Sequence, residues 1–143
     1  MGGATFILAM LATATPPPPA APGHVTGVGG VFVRSANPKR LAAWYRDVLG
    51  IPLEHWGGAL LRYDAPGHPL VAVWSAFPTG SRQFKPSTRE FMINFAVDDL
   101  DAMLARLREK GIPVIDRQED ENGRFASILD PDGTKIELWQ AKR

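Results

Sequence analysis

Glu137 and Trp139 stand two residues apart in the run Lys135-Ile136-Glu137-Leu138-Trp139. If that run is a β-strand, the carboxylate and the indole share one face while Ile136 and Leu138 share the other. A carboxylate beside an aromatic plane, with an aliphatic face behind, has the chemistry of a lined small-molecule pocket. The same pattern also fits an edge strand carrying one exposed charge. Between indoles a carboxylate is desolvated, its pKa rises, and it becomes suited to taking a proton near neutral pH. Other reactive groups are few. The chain has no cysteine, which removes disulfides, thiolate zinc sites and a thiol nucleophile. His24, His55 and His68 form no H-x-x-x-H or related ligand spacing.

The elements that would position Glu137 and Trp139 begin with the turn before them. Asp130-Pro131-Asp132-Gly133 sets φ by proline and supplies glycine where a Cβ would clash. Upstream, one pattern occurs twice from Val28 onward. Val31-Phe32-Val33 reads as a strand; Asn37 then caps a helix with Pro38 at its first position, and Leu41, Trp44, Tyr45, Val48 and Leu49 recur at helical spacing up to Gly50. Residues 91–97 repeat the strand; Asp98 or Asp99 caps a second helix bearing Leu100, Met103, Leu104 and Leu107, and Gly111 stops it. Gly50-Ile51-Pro52-Leu53 and Gly111-Ile112-Pro113-Val114 follow the two helices, and each copy ends on a tryptophan, Trp74 and Trp139. Strands are expected at 53–56 and 59–63 around a Gly57-Gly58 turn, at 70–74, and in the second copy at 114–117, 125–129 and 135–139, with 119–123 as a polar loop. Each unit therefore reads β-α-β-β-β. Module 1 spans 28–77, a Pro-, Ser- and Gly-rich linker spans 78–89, and module 2 spans 90–143.

Composition narrows the class of protein. A chain of 143 residues with 45% hydrophobic and 22% charged residues supports one domain or two small repeated modules. A net charge of +1 provides no field to recruit nucleic acid, which is excluded as a partner. The apolar run at 4–14 is short of the roughly 20 residues of a membrane-spanning helix. It has the length of a signal-peptide core, and Ala12-Thr13-Ala14 fits a small-x-small cleavage site, yet no Lys or Arg precedes it. Residues 1–14 thus read either as an export leader or as an extension ahead of a cytoplasmic domain. Residues 15–27, with four consecutive prolines, read as a polyproline-II-like linker.

The paired units, the helix end Trp44-Tyr45-Arg46-Asp47-Val48-Leu49-Gly50 and the final Asp130-to-Leu138 phrase together resemble the vicinal oxygen chelate superfamily, which includes glyoxalase I, extradiol dioxygenases and bleomycin-resistance proteins. The resemblance covers 28–139 and implies an α+β fold: two tandem βαβββ modules curl eight strands into an open cup with helices outside. It also implies that a metal, when present, is held from the first and last strands of each module. Those positions fall on Gly30, Met92, Ala72 and Glu137. The same parity places Phe32, Arg34, Trp74, Asn94 and Trp139 inside the cup. The opposite parity gives Val31, Val33, Val71, Val73, Phe91, Ile93, Phe95, Val97, Ile136 and Leu138, as strands packed beneath helices require.

Gly30 and Ala72 offer no donor atom and Met92 only a soft thioether, so Glu137 is the one metal ligand if there is any, and no cofactor is expected. What remains is a cup lined by Phe32, Arg34, Trp56, Trp74, Met92, Asn94 and Trp139 around Glu137. It suits binding or sequestration of an aromatic or cationic compound. The alternative is a lyase or isomerase in which Glu137 is general base or metal ligand. A filled cup with Arg34 paired to Glu137, serving protein interaction, is a third reading. The open edges of a curled sheet also point to a homodimer. If the leader is an export signal, intact-mass measurement after expression in a bacterium shows loss of Met1 to Ala14; an uncleaved chain retains them.

Overall fold

The computed structural model describes residues 30–142 and, ahead of them, residues 18, 22, 23 and 28. The leader at 1–14, most of the 15–27 linker and His24 lie outside the described residues. The elements run α1 (Pro38–Leu49), β1 (Met92–Ala96), α2 (Leu100–Glu109), β2 (Asp116–Asp120), β3 (Gly123–Leu129) and β4 (Lys135–Ala141). The four strands form one mixed sheet in the order β1-β4-β3-β2, parallel between β1 and β4 and antiparallel elsewhere. No helix among the described residues is long and apolar enough to cross a membrane.

Both helices begin and end where local chemistry directs. The Asn37 side chain accepts from Arg40 N at 3.1 Å and Pro38 opens α1. Gly50, at φ 73°, ends α1 by donating to Arg46 O at 3.0 Å, with Ile51 N reaching Tyr45 O at 3.3 Å. Of the two candidate caps for α2, Asp99 fills the role, accepting from Ala102 N at 3.0 Å. Gln140 of β4 also meets this helix end, its Oε1 accepting from Leu100 N at 2.7 Å. Val48 and Leu49 of α1 and Leu100, Leu104 and Leu107 of α2 pack together on Ala126, Ile128, Ile136 and Leu138. Both helices therefore cover one face of the same sheet. Trp44 and Tyr45 pack against this core, as their helical spacing predicts.

The second half departs from expectation at one hairpin. The polar stretch 119–123, expected as a loop, lies mostly in strand. β2 runs to Asp120, β3 starts at Gly123, and Asp120 pairs with Gly123 across a two-residue turn. Asn122 N donates to Asp120 Oδ1 at 2.7 Å, fixing that turn. β2 is an edge strand, where charged residues are tolerated, so its polarity concealed it.

In the first half, residues 31–33, 53–56, 59–63 and 70–74 form no ladder. Among the described residues one isolated bridge joins Leu53 to Ala59, with Glu54 N bonded to Gly58 O at 2.8 Å. The described residues thus form four strands of the expected eight, all from 90–143. Val48 and Leu49 of α1 pack into the second-half core, and Val31, Val33, Val71 and Val73 are exposed.

The turn between β3 and β4 joins the two halves. Asp130 Oδ1 accepts from Asp132 N and Thr134 N, both at 2.9 Å, and Oδ2 accepts from the Tyr45 hydroxyl at 2.7 Å. Burial, then the neighbouring Asp130, push the Tyr45 hydroxyl above its ordinary pKa, so it stays a donor. The 78–89 linker docks on the same turn, with Ser87 Oγ donating to Gly133 O, Lys135 Nζ to Gln83 O at 2.7 Å, and Arg89 lying 3.8 Å from Asp132. Tyr45→Phe leaves one buried carboxylate oxygen without its donor. It is expected to cost about 1–3 kcal/mol and to lower the melting midpoint by several degrees in a calorimetric scan.

Candidate functional site

β4 alternates as the sequence predicts. Ile136 and Leu138 enter the core beneath the helices, while Glu137 and Trp139 lie on the opposite face. On that face the ladder sets Glu137 between Asn94 of β1 and Ser127 of β3, and sets Trp139 between Ala96 and Phe125. One step out, on β2, Asp116 pairs with Ser127 and Gln118 with Phe125. The site face is therefore a small grid held by four strands.

Glu137 is 4% exposed. Asn94 Nδ2 donates to its Oε1 at 2.8 Å. Burial raises the Glu137 pKa above the ordinary carboxylate value. The Asn94 hydrogen bond and Lys135 oppose that rise, and Asp116 and Asp120 add to it. Trp139 is 8% exposed, lies parallel to Phe125 with ring centroids 6.2 Å apart, and donates through Nε1 to Asn122 O at 3.1 Å. Gly123 makes this close packing feasible: a Cβ there would collide with Gln140 O and come within 2.9 Å of Trp139 Nε1.

The structure brings Glu137, Asn94, Met92 and Trp139 onto one face and places the other expected site residues elsewhere. Phe32 is 96% exposed and Trp74 82% exposed, whereas Trp139 is buried. Arg34 is exposed and forms no ion pair with Glu137, and Trp56 is exposed beside its glycine turn. His55 is exposed, and His68 stacks on Tyr63 at 4.8 Å. Phe125, Ser127 and Asp116 were not anticipated. For Phe125 and Ser127 the signal was present: alternation in Gly123-Arg124-Phe125-Ala126-Ser127-Ile128 gives the same parity as in β4. For Asp116 there was none, because β2 has no apolar alternation.

No set of three His, Cys, Asp or Glu converges among the described residues; the ladder places Asn94 and Ser127 beside Glu137. The chemistry available is that of a single buried carboxylate. Because its folded pKa lies above the unfolded value near 4.5, the folded state holds the proton more tightly. Stability contributed by Glu137 is therefore full below about that value and is lost as pH rises through the higher folded value. Glu137→Gln, which cannot ionise, is expected to gain melting temperature relative to the parent chain across that window and to hold the gain above it.

The chain matches the family model described as the Glyoxalase/Bleomycin resistance protein/Dioxygenase superfamily over residues 21–138. A search of curated proteins gives no match. Among solved structures, it is 26% identical to an antibiotic binding protein from Streptomyces sp. CB03234, covering 76% of this chain and 88% of that one at a TM-score of 0.45. A glyoxylase/bleomycin resistance protein/dioxygenase domain from Frankia sp. EAN1pec is 20% identical over 83% of this chain and 100% of that one, at 0.49. A lactoylglutathione lyase from Agrobacterium tumefaciens is 22% identical over 73% and 87%, at 0.43. With the model spanning most of its length, the chain belongs to the Glyoxalase/Bleomycin resistance protein/Dioxygenase superfamily.

Proposed function

We propose that the protein binds and sequesters a small aromatic or cationic molecule without a metal, on the face carrying Glu137 and Trp139. The observation that supports this is the surroundings of Glu137: one buried carboxylate held by the Asn94 amide, beside a parallel indole–phenyl pair, with no group of three His, Cys, Asp or Glu among the described residues. An aromatic ledge with a few placed polar groups orients a small planar ligand. In this reading residues 28–77 close the opposite wall, completing the eight-stranded cup and carrying Phe32, Arg34, Trp56 and Trp74 toward the ligand. Met92, Asn94 and Trp139 form the near wall. The free edges of β1 and β2 leave room for pairing between two copies.

A second reading is favoured by one observation. The raised pKa of Glu137 suits a general base, as in a lyase or isomerase, with the substrate proton passing to the carboxylate. A tryptophan-fluorescence screen of planar aromatic compounds, followed by analysis of the recovered compound, separates the two. For a binder the compound returns unchanged, and Glu137→Gln weakens affinity by about 1–2 kcal/mol. For a general base the compound is converted, and the Gln variant abolishes turnover because an amide cannot accept the proton. Nickel, zinc, manganese, magnesium or ferrous iron are expected to leave the melting midpoint unchanged. A metal at 100 times its Kd would add about 2.7 kcal/mol, and a midpoint rise lost in Glu137→Ala would make a metal enzyme the leading reading.

A further inference from the structure

On the helix side of the sheet, away from Glu137 and Trp139, a groove of about 250 Å³ lies between α2 and the edge strand β2. Leu100 and Leu104 of α2, Arg117 and Glu119 of β2 and Arg124 of β3 line it. Its origin is the offset between helix and sheet. α2 packs on β3 and β4, and β2 lies one strand further out. The ladder pairs Arg117 with Ala126 and Glu119 with Arg124. Cross-strand partners share a face, and Ala126 belongs to the helix-covered core. Arg117 and Glu119 therefore stand on the helix side of β2, at the mouth of the groove, with the two leucines as its apolar wall.

The charges around the groove divide into committed and uncommitted groups. Arg124 donates through both terminal nitrogens to Asp101, at 3.1 and 2.7 Å, so these two offset each other. Asp99 accepts from Ala102 N as the cap of α2, and Leu100 N donates to Gln140. Arg117 and Glu119 are exposed, and neither makes an ion pair or a side-chain hydrogen bond with another described residue. Two residues apart on one extended strand, their Cα atoms are separated by roughly 7 Å. One free cation and one free anion thus flank the same opening. A ligand with a single charge satisfies one of them and is repelled by the other, whereas a ligand carrying both charges on one carbon satisfies both. Size sets a second condition. A dry cavity of about 150 Å³ accepts benzene, and drug-sized ligands occupy roughly 300–1,000 Å³. The groove suits a phenyl or branched aliphatic group with its head at the mouth.

We propose that this groove is a second small-molecule site, which takes a free α-amino acid with an apolar side chain, its carboxylate on Arg117, its ammonium on Glu119 and its side chain against Leu100 and Leu104. The site is separate from the Glu137 face and does not depend on the reading given for that face. The test is calorimetric titration of the full chain with L-phenylalanine, L-phenylalaninamide, N-acetyl-L-phenylalanine and glycine. Phenylalanine is expected to bind about tenfold tighter than the amide, which lacks the carboxylate, and than the N-acetyl compound, which lacks the ammonium. Glycine, with no side chain for the apolar wall, is expected not to bind. Glu119→Gln should weaken phenylalanine about tenfold. Arg117→Glu should reverse the order, so that the cationic amide binds tighter than phenylalanine. Both changes fall at exposed positions of an edge strand, and a calorimetric scan should show the melting midpoint unchanged. Equal affinity for the three phenylalanine compounds, an order unaltered in Arg117→Glu, or binding of none of them overturns the inference.

Discussion

One buried carboxylate organises the structure. Asp130 accepts from two backbone amides of its own turn and from the Tyr45 hydroxyl of a helix 85 residues earlier in the chain. The amide bonds hold the reversal from β3 into β4, and that reversal fixes the register in which Ser127 lies opposite Glu137 and Phe125 opposite Trp139. Since a slip of one residue would turn Glu137 into the helix-covered core, the turn decides whether the site exists at all. The hydroxyl bond does a different job. It anchors α1, an element of the first half, onto the second-half sheet, where Val48 and Leu49 complete a core that α2 alone does not fill.

The two sequence-similar halves differ in what they bury: the second-half sheet packs its apolar face with Val48, Leu49, Leu100, Leu104 and Leu107. The first-half segments keep alternating valines and aromatics, a pattern that makes sense only if a sheet forms, yet they are left with their apolar residues in water.

Much of this was legible in the chain. The caps at Asn37 and Asp99, the glycine after α1, the D-P-D-G reversal and the in–out parity of β4 follow from local rules that tertiary context did not override. β2 was misplaced because Asp116-Arg117-Gln118-Glu119-Asp120 is polar on both faces, and an edge strand held by backbone bonds needs no apolar alternation to announce it. The pairing of Asn94 with Glu137 was within reach, since both were assigned to one face. The spending of the Lys135 ammonium on Gln83 O was not, because a contact between a strand and a linker 52 residues away leaves no periodic trace.

Glu137 and Asp116 belong to strands of different mechanical standing. β4 is hydrogen-bonded on both sides, so its amides are expected to open only with the whole sheet, whereas β2 has one bonded neighbour and frays first. Glu137 is thus built into the part of the fold least able to change without loss of the fold. Asp116 sits where a substitution disturbs a single ladder and no core contact. A lineage carrying this sheet can vary its rim while the central strand stays as it is.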